Sequence, residues 1–257
     1  MNIQDIPCNR LYDVLAFLWP LISDPDEYLE EAGCWNKTIT DLLGPGKHRI
    51  LELGVGGGHN LSHLAPSFNV TAVDIFERML EHFMRLNPSV DHHAGDMRTV
   101  RLNCKFKAVL IHDAISHMLS ETDLMAVFTT ALSHLTTNGV VITAPDNFKE
   151  TFKSPQFESR TRSMNDIQLT YLEYTHDPDP EDTVIETIFT HIIRENNDVR
   201  IELDRLITGL FPKSTWVNIM TKSGFIYEER SFHIEACERP YQLLLGHKPC
   251  AQNGQNP

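Results

Sequence analysis

Ile50-Leu51-Glu52-Leu53-Gly54-Val55-Gly56-Gly57-Gly58 decides the fold. Residues 49–53 have the apolar content of a short buried strand. Gly54, Gly56 and Gly58 let the chain turn tightly and come close to a ligand, where a Cβ would intrude. Residues 59–65 open a helix, whose free N–H groups attract polar or anionic ligand atoms. A second apolar run, Val70-Thr71-Ala72-Val73, ends on Asp74. An acid at the tip of the second strand can accept both hydroxyls of a ribose. A glycine turn followed by such an acid predicts a nucleoside-type cofactor on a doubly wound sheet.

The glycine spacing narrows the cofactor. Dinucleotide sites use G-x-G-x-x-G, with bare glycines facing a pyrophosphate. Here the third residue after Gly56 is His59, and an acid, Glu52, stands on the strand just before the turn. An acid with N–H groups at the turn suits an amino-acid zwitterion better than a pyrophosphate. Glu52-Leu53-Gly54-Val55-Gly56-Gly57-Gly58 resembles the first motif, E/D-x-G-x-G-x-G, of the class I S-adenosylmethionine-dependent methyltransferases. Asp74 with Ile75 and Met79-Leu80, then Gly95-Asp96-Met97, fall in the order that family uses. So do residues 108–118, a strand and the loop after it, and residues 131–142, a helix, a turn and a fifth strand.

The resemblance covers residues 10–248. It is nearest to the small-molecule enzymes that dimethylate the amino group of nucleotide-linked deoxysugars, through Leu11-Tyr12-Asp13, residues 113–117 and Gly209-Leu210-Phe211-Pro212. That subfamily's basic segment after the tyrosine is absent, and residues 21–31 are acidic instead. The resemblance implies S-adenosyl-L-methionine as cofactor, held by Tyr12, Glu52, Gly54, Gly56, Gly58, Asp74, Ile75, Asp96, Met97 and Asp113. Asp74 would meet the ribose, Asp96 the adenine amino group, and Met97 the ring. His117, just past the fourth strand, is the candidate general base, with an ordinary pKa near ~6.5. Asp113 could orient an amine or cap the helix after it. Trp35, Phe157, Tyr171, Phe211 and Trp216 are candidates for an acceptor pocket.

The expected activity is methyl transfer from S-adenosylmethionine to a nitrogen or oxygen of a small molecule. Two other readings are a non-catalytic S-adenosylmethionine-binding or regulatory protein and a nicotinamide-dependent oxidoreductase. The formal net charge of -13 argues against a nucleic-acid partner, because Lys and Arg must neutralise phosphates. No apolar run reaches the ~18–20 residues of a membrane span, and no signal peptide is read at the N-terminus. The five cysteines are odd in number, scattered and without C-x-x-C. They predict reduced thiols in a cytoplasmic protein and no metal site.

Along the chain, residues 9–19 carry Leu11, Val14, Leu15 and Leu18 at helical spacing and predict an amphipathic helix that Pro20 breaks. Asp24 would cap a second helix over 26–43. Strands at 49–53, 70–74, 90–93, 108–112 and 139–144 alternate with helices, the pattern of a parallel sheet covered on both faces. Residues 167–176, 183–194 and 199–208 read as an antiparallel meander: a lid or substrate wall, or else a sheet for a homodimer. Residues 213–223, with Ser214 as cap, form the last helix, and 226–234 with 241–247 the final hairpin. The expected architecture is a doubly wound, seven-stranded, mostly parallel α/β sheet, Rossmann-like, with an inserted antiparallel β lid. Its expected divisions are lid helices over 1–45, a cofactor-binding core over 46–148 and 210–248, the insertion over 149–209, and a disordered tail over 249–257.

Overall fold

The computed structural model describes residues 2–196, 198–235 and 240–250. Two helices, α1 (Trp19–Ile22) and α2 (Leu29–Leu43), precede β1 (Arg49–Leu53). Then come α3 (His59–Leu64), β2 (Asn69–Asp74), α4 (Glu77–Leu86), β3 (Asp91–Ala94), β4 (Phe106–Ile111), α5 (Glu121–His134) and β5 (Leu135–Thr143). Four long strands follow: β6 (Gln156–Met164), β7 (Ile167–His176), β8 (Val184–Glu195) and β9 (Asp198–Gly209). The chain closes with α6 (Lys213–Lys222), β10 (Ile226–Phe232) and β11 (Tyr241–His247).

The main sheet has seven strands in the order β10-β11-β5-β4-β1-β2-β3. The first five strands of the chain are mutually parallel, with Ile50 opposite both Val70 and Ala108, and β11 runs antiparallel to β5. Ile50 to Leu53 are all buried, as a parallel strand covered on both faces requires. One face packs Val127, Phe128, Trp216 and Ile219 from α5 and α6. The other packs Trp35, Ile39, Leu61 and Phe83 from α2, α3 and α4. The strand order reverses between β1 and β4, which opens a crevice at their carboxyl ends.

β6 to β9 form a separate four-stranded antiparallel sheet. Its Leu169, Tyr171 and Ile193 pack on Leu15, Leu18 and Leu21 of the N-terminal segment. The meander therefore has four strands where three are legible. β6 is mostly exposed and polar, as an edge strand that needs one partner can be, and its sequence has no apolar alternation.

Two other expectations change. Residues 9–19 do not form one helix: they make 3-10 turns at Arg10–Tyr12 and Ala16–Leu18. Asp204 of β9 takes the Arg10 and Leu11 N–H groups at 2.9 and 2.7 Å, so a tertiary carboxylate binds the donors at the start of the turn. Pro20 then sits in the first turn of α1, where its missing N–H costs nothing, rather than ending a helix. Ser214 does not cap α6. Pro212 holds the cap position, and the Glu150 carboxylate accepts the Lys213 N–H at 3.0 Å. Asp24 does cap its turn, accepting the Asp26 N–H at 3.0 Å. Asn197, Cys237 and residues 251–257 of the expected tail lie outside the described residues.

Candidate functional site

A cleft of about 420 Å³ lies at the carboxyl ends of β1, β2, β4 and β5, within the usual size range of small-molecule sites. The glycine turn forms its back wall. Gly54 has φ +77°, and a Cβ there would collide with Ala114 and lie 2.7 Å from the Met97 methyl. Gly58 has φ +78° with the Phe83 ring and the Asn87 amide packed against it. Val73 C=O accepts the Gly54 and Val55 N–H groups at 2.8 and 3.1 Å, which ties the turn to β2. Asp74 completes the tie: Oδ2 accepts the Gly56 N–H at 2.7 Å and Oδ1 the Phe76 N–H at 2.8 Å. Each oxygen keeps a lone pair for a further donor. Burial raises the Asp74 pKa, partly offset by those N–H groups.

Two side chains behind the turn lack partners. Glu52 is 2% exposed, and its Oε2 has no hydrogen-bond partner. Burial pushes its carboxyl up to about 8, the His112 charge acting against this and Asp113 and Asp74 adding to it. Asn60, the second residue of α3, is 6% exposed with both amide atoms unpartnered. Buried polar atoms are normally satisfied. An orphaned acid and amide lining a glycine-walled cleft fit the amino-acid end of S-adenosylmethionine, whose ammonium and carboxylate would supply the missing partners.

At the other side of the glycine turn, Ile75 is exposed at the rim and Met97 lines the wall. Asp96 is forked by Arg98, whose Nη2 donates to Oδ2 at 2.6 Å and whose Nε reaches both oxygens at 3.1 Å. Those bonds hold the Asp96 carboxyl below its usual range. Arg98 also donates to Asp123 at 2.9 Å.

The tips of β4 and β5 carry a second set of groups. His112 is buried, with Nε2 2.8 Å from Glu31 and 3.2 Å from the Tyr241 hydroxyl, and Nδ1 3.2 Å from Asp113. Trp35 Nε1 donates to that same hydroxyl at 2.8 Å. Burial acts to lower the His112 pKa, but the charges and hydrogen bonds of Asp113 and Glu31 outweigh it and raise it well above 6.5. His112 is thus an imidazolium held by two carboxylates. Asp113 has half its side-chain surface open to the cleft. Crowding acts to raise its pKa, and the His112 charge and hydrogen bond reverse that and hold it low. Asp113 does not cap the 3-10 helix it begins; His112 occupies the cap position.

Asp146, just past β5, opens into the same cleft, and its N–H donates to Ser116 Oγ at 3.2 Å. Surrounding protein and the Asp113 charge push its carboxyl up to about 7 against the Ser116 hydrogen bond. His117 meets the Tyr12 ring edge-on at 5.4 Å, and burial lowers its pKa against the pull of Asp113. Tyr12 in turn lies 5.4 Å from Phe76 and 6.1 Å from Trp19. Leu206, Ile207 and Thr208 of β9 close the cleft from the antiparallel sheet.

The structure therefore gathers Tyr12, Glu52, Gly54, Gly56, Gly58, Asp74, Ile75, Asp96, Met97, Asp113 and His117 in one cleft. It does not bring the candidate pocket aromatics there. Trp35, Phe211 and Trp216 are core residues, Tyr171 packs under the second sheet, and Phe157 is exposed on β6. Sequence reasoning missed His112, Asp146, Asn60, Glu31 and Arg98. The one signal for the first two was positional, since a polar pair follows β4 at His112-Asp113 and an acid follows Pro145.

A methyltransferase domain family model matches residues 50–139. Two curated proteins are similar. A dTDP-3-amino-3,4,6-trideoxy-alpha-D-glucopyranose N,N-dimethyltransferase of Streptomyces venezuelae is 34% identical over 119 residues, 44% of this chain and 50% of that protein. A dTDP-3-amino-3,6-dideoxy-alpha-D-glucopyranose N,N-dimethyltransferase of Streptomyces fradiae is 28% identical over 162 residues, 62% and 57% of the two. The chain spans about half the length of the curated relatives it matches. Among solved structures, a sugar N-methyltransferase from Streptoalloteichus shares the fold with a TM-score of 0.78 at 20% identity, over 93% of this chain and 92% of that one. DesVI of Streptomyces venezuelae does so at 0.76 and 20%, over 97% and 99%. Residues 50–139 thus match a methyltransferase domain, and the chain as a whole shares the fold of these solved methyltransferase structures.

Proposed function

We propose that this chain transfers a methyl group from S-adenosylmethionine to the nitrogen of a small-molecule amine. The observation that carries the reading is the pair of orphaned buried groups, Glu52 and Asn60, behind a glycine turn whose cleft runs on to Asp113 and His117. When bound, S-adenosylmethionine supplies an already activated methyl group on a sulfonium. The chain's own task is then alignment and exclusion of water, worth up to about 7–11 kcal/mol of the barrier. Glu52 and Asn60 hold the amino-acid end, and Asp74 the ribose hydroxyls. Met97 and Ile75 flank the nucleoside. Tyr12 and His117 form the wall beside the reacting nitrogen. His117 is neutral because burial lowers its pKa, so it can accept a proton from the incoming amine.

β9 closes the cleft on the acceptor side, which supports the lid over 149–209 as a substrate wall. The names of the two curated relatives, both N,N-dimethyltransferases of amino sugars, support nitrogen over oxygen. The acidic balance of the chain supports an acceptor other than nucleic acid. Incubation with S-adenosylmethionine and a panel of amines, alcohols and carboxylates, read by mass spectrometry, tests the reading. Methylated amine together with S-adenosylhomocysteine is expected. Tight donor binding with no methylated product in any class would favour a binding protein instead.

A further inference from the structure

We propose that the acceptor carries no nucleotide diphosphate and enters as an ammonium ion, held on the cleft wall by Asp113 and Asp146. This rests on the methyltransferase reading and names the acceptor class for the same site. The first observation is the charge lining the cleft. Five acids face it: Glu52, Asp74, Asp96, Asp113 and Asp146. Among the described lining residues the permanent cation is Arg98, which is already committed to Asp96 and Asp123 at 2.6 and 2.9 Å. The other positive group, His112, is held by Glu31 and Asp113. His59 is pushed down to about 4 by burial, and His117 is lowered too, so neither adds charge at neutral pH. A diphosphate needs free Arg or Lys donors or a bound cation. Beyond Glu52 and Asp74, which the cofactor takes, and Asp96, which Arg98 holds, the wall presents Asp113 and Asp146 instead.

The second observation is the placement of the two acids that the cofactor's amino-acid end and ribose leave free: Asp113 has half its side-chain surface open, and Asp146 lines the same cleft. Asp146 has the Ser116 hydroxyl as its side-chain partner and feels Asp113 as a repelling neighbour. A cation arriving beside both carboxylates relieves that repulsion, as a counter-ion does for any crowded acid pair. The neighbouring rings are Tyr12 and Tyr28. Burial and the Asp113 charge raise both phenol pKa values, so the rings that line the cleft stay neutral. Met118, Leu119 and Leu206 add apolar surface for the carbon frame of the amine.

Isothermal titration calorimetry on the full chain preloaded with S-adenosylhomocysteine tests this. The probes are methyl 3-amino-3-deoxyglucopyranoside, cyclohexylamine, the N-acetyl form of the sugar, and thymidine diphosphate. At least one of the two amines should bind, and the N-acetyl sugar should bind about tenfold more weakly than the amino sugar or not at all. Thymidine diphosphate should give no heat and should not displace the amine. Asp146→Asn and Asp113→Asn should each weaken the amine at least about tenfold, the lower end of the scale for losing one charged hydrogen bond. In Asp146→Asn the affinity for S-adenosylhomocysteine should stay within about twofold, which shows the cleft still folded. Thymidine diphosphate binding in the cleft, equal binding of amine and N-acetyl sugar, failure of both amines to bind, or an unaffected Asp146→Asn would each overturn the proposal. Failure of S-adenosylhomocysteine to bind the wild type would instead strike the methyltransferase reading beneath it.

Discussion

Glu52→Gln should make the ligand-free chain more stable and the liganded chain less so. In the unfolded chain Glu52 titrates near 4.5, and in the folded chain burial holds its proton to about 8. The folded state therefore binds more protons between those values, and stability falls as pH rises through that window. At pH 7 the gap from 4.5 is 2.5 units. At about 1.36 kcal/mol per unit this is about 3 kcal/mol of stability forgone. Glutamine has no proton to hold, so the variant recovers up to about 3 kcal/mol at pH 7 and less than about 1 kcal/mol at pH 5. For a chain of this size that is a rise in Tm of roughly 6–10 °C at pH 7. S-adenosylhomocysteine reverses the balance, because its ammonium ionises Glu52 and pairs with it. Losing that charged hydrogen bond costs about 1.5–3 kcal/mol, or roughly 10- to 150-fold in affinity. Thermal unfolding at pH 5 and pH 7, with and without S-adenosylhomocysteine, reads both halves. A ligand-free variant no more stable than wild type at pH 7, or one whose advantage is the same at both pH values, refutes the reasoning.

Gly58→Ala should destabilise the fold by about 2–4 kcal/mol, because φ is +78° and the new methyl meets the Phe83 ring and the Asn87 amide; a denaturant midpoint checks it. His117→Ala should lower turnover while leaving the S-adenosylhomocysteine affinity within about twofold. Wild-type turnover should fall on the acid side, with an apparent pKa below the ordinary 6.5, and an unaltered profile in the variant would remove His117 as the proton acceptor. His191 is fully buried in the second sheet with neither ring nitrogen partnered, and burial lowers its pKa. The unfolded state then binds the extra proton, so stability should drop as pH falls below about 6.5, and His191→Phe should flatten that slope in a urea titration series.

The parallel core was legible because each of its strands is a contiguous apolar run buried on both faces, and the turn that ends β1 needs glycine for local reasons. Asp74 was legible for the same reason: its position at the tip of β2 is fixed by the strand before it. The N-terminal segment was not. Leu11, Leu15 and Leu18 are buried, as helical spacing suggests, but Val14 is exposed and Asp204, far along the chain, dictates the turn. β6 was invisible because an edge strand with polar residues on both faces has no period to read. The charge set at the tips of β4 and β5 was hidden by distance in sequence. Glu31 reaches His112 across 81 positions, and only folding shows that His112 is charged and that Asp146 faces Asp113 electrostatically. Asn60 read as an ordinary helix residue until its amide was found without partners.

Calorimetric titration of S-adenosylhomocysteine into the wild type and into Asp74→Ala tests the central claim, an adenosyl amino acid held at the glycine turn. One site per chain is predicted, tighter than for 5′-methylthioadenosine because Glu52 and Asn60 then find partners, and weakened about a hundredfold or more when Asp74 is removed. No binding by the wild type, or an affinity that ignores both the amino-acid end and Asp74, would contradict it.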